Sequence, residues 1–371
     1  MHTKTSLILL LLTIRWAETK SSVLSVFKIS RHGARAPNGP LQPEFIKLGA
    51  LETADLTYKG KKQLKSLGRK FKQRYSHFRS FETSFYSSYK KRAIYSMFSF
   101  IQHFMHGKKT HKHIMNEAFF HSNDFKKFNN EQLAYLERKK PYIERIYTAA
   151  VGSGLQEAIE AYCTKCVPPH SHIKKLKLLK HMFTQYYCRK GNNVERSKFN
   201  PRLVRCLTRA QMLFYDTVLL HESYIRTENH GLYMLLGKQL VHVLQAQGYK
   251  GANLAYYSQR FDLPFKVNHA MYLFAHDRNV LGLIAAIVGK KTVFKNSFYM
   301  PKFASYITVE LMVDHCKGPA LLPHYFMEPD EGTDYYVKLK YQDREVFTKA
   351  CGYSICTVNE FLEFLDKNLD V

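Results

Sequence analysis

VLSVFKISRHGARAPNGP, Val23 to Pro40, changes character halfway along. Val23 to Ile29 alternates and is rich in β-branched residues, which predicts a strand. Directly after it Arg31, His32 and Arg35 crowd around Gly33, and Pro37 and Pro40 end the pattern. Leu56 to Tyr75 follows with apolar residues at helical spacing and predicts a helix. A strand followed by a helix is how an α/β domain begins, so the basic cluster is expected at the carboxyl end of a strand.

The same alternation returns late in the chain. Strands are predicted at Ala270 to Ala275, Tyr306 to Met312 and Asp334 to Tyr341 opposite Val346, with a helix over Val280 to Val288. Between about residues 106 and 248 strand signals are rare and helical patterns dominate, as in Leu155 to Tyr162 and Leu232 to Gln247. The expected fold is therefore α/β: a mixed, mainly parallel sheet with flanking helices, built from 21–105 and 249–371 and carrying an all-helical cap inserted over 106–248. No internal repeat or low-complexity linker interrupts it.

In open α/β sheets ligand groups gather beyond the carboxyl ends of the strands. Two stretches occupy such places: Arg31 to Arg35, and His276 with Asp277 after the Tyr272 to Ala275 strand. The first has the composition of an oxyanion site, with two fork-shaped guanidiniums, a glycine permitting close backbone approach, and a histidine whose neutral form the flanking cations favour. Taken alone it reads equally as a basic surface turn. Asp277 is either a proton donor beside a phosphate-binding group or the cap of the helix that follows.

Composition limits the alternatives. The 371 residues are 45% hydrophobic, enough for a large core, and carry a net charge of +26 that favours anionic partners. The basic residues are dispersed and no zinc-finger, basic-zipper or RNA-recognition pattern occurs, so nucleic acid is not the expected partner. Lys174, Lys175, Lys177 and Lys180 interleave with Ile173, Leu176, Leu179 and Met182, which describes a solvated face on a core stripe, with an anionic surface as the second reading. His2 and Lys4, the apolar run Ser6 to Leu12 and a polar stretch read as a signal peptide over residues 1–20, placing the mature chain outside the cell or in a lysosomal or vacuolar lumen, with no later stretch long enough to span a bilayer.

Seven cysteines fit an oxidising compartment with up to three disulfides and one thiol left over. Cys163 and Cys166 form a C-x-x-C that reads weakly as a zinc or redox pair, and Cys351 and Cys356 as a local disulfide loop. No Asn-x-Ser or Asn-x-Thr acceptor is present.

RHGARAP, Arg31 to Pro37, resembles the RHGxRxP signature of the histidine acid phosphatases, and Ala275-His276-Asp277 resembles that family's second motif. Leu56 and Thr57 with Gly60, Gln63, Leu67 and Gly68 are similar to its following helix, and Pro301 to Leu311 and the Cys351 and Cys356 pair to its C-terminal part. The resemblance implies an acid phosphatase with an α/β core and a helical cap. By it, His32 is the nucleophile that becomes phosphohistidine, Arg31, Arg35 and His276 hold the phosphoryl oxygens, and Asp277 protonates the leaving group. Neither metal nor organic cofactor is implied.

One position departs. The family's R-S-T-x-x-x-R-T segment matches Tyr86 to Ala93, YSSYKKRA, so its second arginine is Arg92 while Tyr86 replaces the phosphate-binding one. Loss of one charge-assisted contact costs about 1.5–3 kcal/mol. The first expectation is an exported enzyme acting on small phosphomonoesters. The alternative is a weakened family member that binds phosphate, a phosphorylated protein or another polyanion.

Overall fold

A computed structural model describes residues 21–105, 111–115, 129–163, 166–218, 222–251, 253–264, 266–295, 300–314, 334–349 and 351–369. The segment read as a signal peptide and Cys316 lie outside these residues. Eight strands form one mixed sheet: β1 (Ser21–Arg31), β2 (Thr83–Ser88), β3 (His111–Met115), β4 (Ala270–Ala275), β5 (Tyr306–Asp314), β6 (Asp334–Tyr341), β7 (Arg344–Glu345) and β8 (Ile355–Thr357). Their order is β3-β2-β4-β1-β5-β6-β7, with β8 paired to β6. The β3-β2-β4-β1 half is parallel, and β5 and β6 extend it antiparallel.

β1 is buried on both faces, as a central parallel strand must be. Phe27 and Ile29 face one core cluster; Val26 joins the other, with Leu64, Phe71 and Phe100. The second cluster is supplied by α1 (Tyr58–Arg74) and α2 (Lys91–Phe104). A separate helical layer follows: α3 (Asn130–Arg138), α4 (Lys140–Val151), α5 (Leu155–Tyr162), α6 (His172–Asn192) and α7 (Pro201–Val218). Leu136, Ile143, Leu176, Leu179, Met182 and Leu207 centre its core. The first cluster is closed by α8 (Glu222–Ala246), α9 (Asp277–Val288) and α10 (Val358–Lys367).

Two elements within 106–248 thus depart from the all-helical reading of that segment. β3 pairs in parallel with the outer edge of β2, and the sequence His-Lys-His-Ile-Met has too little alternation to announce it. The apolar side of α8, including Leu236, Leu240 and Leu244, belongs to the core of the sheet and not to that of the helical layer.

Cys163 is joined to Cys166 and Cys351 to Cys356; Cys188 and Cys206 are buried thiols. Disulfide formation within the C-x-x-C leaves it without thiolates, although His181 lies close by. Among the described residues no helix is long and apolar enough to cross a membrane.

Candidate active site

Parallel pairing of β1 with β4 brings the two sequence stations together. Arg31 stands in register with Ala275, and the His32 amide donates to the Ala275 carbonyl at 3.0 Å. The imidazoles of His32 and His276 consequently meet edge to face, centroids 5.6 Å apart. β2 lies parallel on the other edge of β4, which delivers Ser88 to the same place: its hydroxyl is 2.9 Å from His276 Nε2. Because β5 runs antiparallel to β1, the chain entering it crosses above the pocket, with the Arg31 amide donating to Ser305 O at 2.8 Å and the Ala304 amide to His32 O at 3.1 Å.

The basic loop is held by its backbone. The Gly33 amide donates to Ser96 Oγ of α2 at 3.1 Å, and the Ala34 amide to Gln63 Oε1 of α1 at 2.9 Å. Thr57 caps α1 by accepting from the Gly60 amide, and its own amide donates to Ala34 O at 3.1 Å. A Cβ at Gly33 would sit 2.5 Å from Gly60 O, and one at Gly60 only 2.1 Å from Ala34 O. Both glycines are therefore required for the contact between backbones.

His32 Nδ1 lies 2.8 Å from the Gly33 carbonyl oxygen. A carbonyl only accepts, so the ring donates from Nδ1, and the neutral imidazole keeps its lone pair on Nε2. Burial holds the His32 pKa well below the ordinary value, reinforced by Arg92, Arg31, Arg35 and His276. Arg31 reaches Asp277 Oδ2 at 3.3 Å and donates through Nη1 to Pro301 O at 2.5 Å, with Phe303 4.4 Å from its guanidinium. Arg35 donates to Ala36 O at 2.7 Å and to Asn38 Oδ1 at 3.2 Å.

Burial raises the Asp277 pKa, but Arg31, His32, Arg278 and His276 together carry it far below the usual carboxylate range. The Tyr215 hydroxyl of α7 donates to Asp277 Oδ2 at 3.1 Å. Arg31 is 4% and His32 2% exposed, while the Asp277 side chain is 30% exposed. The carboxylate is thus the side of the pocket open to solvent.

The helical layer roofs this pocket. Tyr187 of α6 lies 5.3 Å from the Arg31 guanidinium, and Asn192 donates to Arg35 O at 3.0 Å while accepting from Thr57 Oγ1 at 2.6 Å. Of the lysines on α6, Lys175 pairs with Glu144 at 2.5 Å. Lys180 turns inward, 4.1 Å from the Phe214 ring. Burial, and then Arg278, bring the Lys180 pKa down to about 8.

Tyr86 stands apart from these groups. It is fully buried in the sheet core, and its hydroxyl donates to Lys266 O at 2.7 Å, at the approach to the amino end of β4. The pocket lies at the carboxyl end of that strand. Arg92, in the first turn of α2, does enter the pocket: its Nη2 is 3.3 Å from His276 Nδ1. Among the described residues the buried Nε groups of Arg31, Arg35 and Arg92 have no hydrogen-bond partner.

The family model of the histidine phosphatase superfamily (branch 2) matches residues 22–342. The chain belongs to this family. Solved structures with the same fold include a Citrobacter braakii phytase, at 13% identity over 94% of this chain and 98% of that one, TM-score 0.57. A Hafnia alvei phytase matches at 12% identity over 95% and 98%, TM-score 0.58. A Bifidobacterium longum multiple inositol polyphosphate phosphatase, in complex with phosphate, matches at 12% identity over 96% and 93%, TM-score 0.61. Among curated proteins no sequence match is found.

In this branch 2 histidine phosphatase the five residues singled out in the sequence, Arg31, His32, Arg35, His276 and Asp277, fall in one pocket. Sequence reasoning gave no place in it to Ser88, Arg92 or Tyr215. The first two stand where β2 gives way to α2, the same strand-end position that singled out His32 and His276, and that rule was the signal available for them. Tyr215 comes from the helical layer, and no local pattern relates it to Asp277.

Proposed function

We propose that this protein hydrolyses phosphate monoesters through a phosphohistidine formed on His32. The observation that carries the reading is the Nε2 lone pair of a neutral, buried imidazole flanked by guanidiniums that have donors to spare. Arg31, Arg35 and His276 hold the nonbridging oxygens, stabilising charge where the phosphoryl group carries it. His32 Nε2 attacks phosphorus as the bond to the ester oxygen breaks, and Asp277 delivers a proton to that oxygen. Water then attacks the phosphohistidine, giving its proton to the Asp277 carboxylate; inorganic phosphate leaves and His32 is restored.

Asp277 is ionised because Arg31 lies against it. A bound phosphoryl group competes for Arg31 and adds negative charge nearby, and both effects raise the carboxyl pKa towards the protonated form. Activity at acid pH follows, since His32 stays neutral well below the ordinary histidine range. The N-terminal apolar segment and the two disulfides support export.

The phytase and inositol polyphosphate phosphatase likenesses make inositol phosphates, beside simple aryl esters, the first compounds to assay. Phosphate release at pH 5 from 4-nitrophenyl phosphate and myo-inositol hexakisphosphate is expected from the wild type and not from His32→Ala. The wild type, and not the variant, is also expected to retain acid-labile phosphate after rapid quenching. A folded wild type inert on both esters, or equal turnover by the variant, overturns the reading.

A further inference from the structure

We propose that Tyr215, on α7 of the helical layer, is a positioning residue for Asp277: its hydroxyl fixes the carboxyl and stabilises the carboxylate left when the proton passes to the leaving group. This rests on the phosphatase reading above. Three observations support it.

The first is geometry. Asp277 Oδ2 accepts from the Tyr215 hydroxyl at 3.1 Å and lies 3.3 Å from Arg31 Nη2, while Oδ1 accepts from the Arg278 amide at 3.1 Å. Donors on both oxygens hold the plane of the carboxyl. Arg31 is also a phosphoryl ligand in the reading above, and Arg278 follows Asp277 directly in α9. Tyr215 alone of the three comes from the helical layer, so that layer reaches the acid through one hydroxyl.

The second is the state of the phenol. Tyr215 is 4% exposed and belongs to the core cluster of the sheet with Phe214 and Val218. Burial, and then the charge of Asp277, raise its pKa well above the ordinary value, so it stays protonated and able to donate. A buried hydroxyl needs a partner, and among the described residues its hydrogen bond goes to Asp277.

The third is that Tyr215 is uncharged. The cations facing Asp277 are Arg31 at the end of β1, Arg92 on α2, Lys180 on α6 and Arg278 on α9. His32 and His276 face it as well, as do Tyr187 and Cys188 of α6. A bound phosphoryl group brings negative charge that offsets what the cations do for the carboxylate. Donation from a neutral hydroxyl is offset far less, so it persists in the complex where Asp277 gives up its proton. An acid whose conjugate base is stabilised there donates more readily.

The test measures kcat and kcat/KM across about pH 3 to 8 for glycerol 2-phosphate, whose alkoxide needs a proton, and for 4-nitrophenyl phosphate, whose leaving group does not. The proteins are wild type, Tyr215→Phe, Asp277→Asn and the double variant, each checked by thermal melt. For glycerol 2-phosphate, Tyr215→Phe is expected to move the basic limb of kcat up by about one pH unit and to lower its plateau about three- to tenfold, with KM little changed. The loss on kcat/KM for 4-nitrophenyl phosphate is expected to be far smaller. In the Asp277→Asn background the same substitution should add less than about twofold, because its target is gone. An unmoved limb, equal losses on the two esters, or a full loss in the Asp277→Asn background would each make Tyr215 a structural residue only and sink the inference while the wild type remains active. A folded wild type inert on both esters is a different result: it fails the phosphatase reading and takes this inference with it.

Discussion

Arg31 acts on both His32 and Asp277, and their environments leave the first neutral and the second ionised. His32 is kept neutral, mainly by burial. Asp277, the more exposed of the two, is held ionised by Arg31. The pH dependence has a definite sign: as pH falls, the acid limb of kcat/KM should appear well below the ordinary histidine value of about 6.5. Asp277→Asn should slow alkyl phosphates by about 10²-fold or more and 4-nitrophenyl phosphate far less, because a good leaving group departs without a proton. Equal losses on the two ester classes would remove Asp277 from the acid role. These residues could be singled out in the chain because RHGARAP and Ala275-His276-Asp277 resemble a family's two motifs, whereas the first stretch taken alone reads equally as a basic turn. The place of Arg92 could not be read in this way, since the direction in which a side chain leaves the first turn of a helix depends on how that helix packs.

At the scale of elements, the loop after β1 owes its shape to α1. Thr57 is at once the cap of α1 and a donor to the loop, and Gly33 and Gly60 allow the two backbones to touch. Gly60→Ala isolates this contact. Alanine favours a helix by about 1 kcal/mol, so propensity alone predicts a more stable protein. The methyl would instead lie 2.1 Å from Ala34 O and push the loop away, and a displacement of about 1 Å at the reacting groups costs roughly 10²-fold in rate. A thermal melt combined with kcat/KM decides; full activity in a stabilised variant would show that the loop is not positioned this way. The strands β1, β4 and β5 and the helix α1 are legible from periodicity, within a few residues of their observed ends. β3 is not, because a strand paired on one side only among the described residues needs no strong pattern, and its place is set by the edge of β2.

Across the whole molecule the pocket lies between the carboxyl ends of the sheet and the helical layer, joined by Asn192 to both Arg35 and Thr57. With a net charge of +26 any anion will bind weakly by screening, so a specific oxyanion must be distinguished from general salt. At about one hundred times its dissociation constant, a ligand of the folded state alone adds about 2.7 kcal/mol, or roughly 3 °C of melting temperature for a chain of 371 residues. Inorganic phosphate should therefore raise Tm by about that amount above sodium chloride of equal ionic strength. An equal shift from both salts would mean screening only.

The sequence by itself determined the strand and helix periods, the chemistry at two strand ends and, through its motifs, the family. These are local properties: side-chain type and spacing along one segment decide them. Only the tertiary structure decided that β1 and β4 lie side by side in register, that Tyr86 faces the core while Arg92 faces His276, and that α8 belongs to the core of the sheet. Each of those depends on burial and pairing between segments far apart in the chain, where the same local pattern is compatible with several packings.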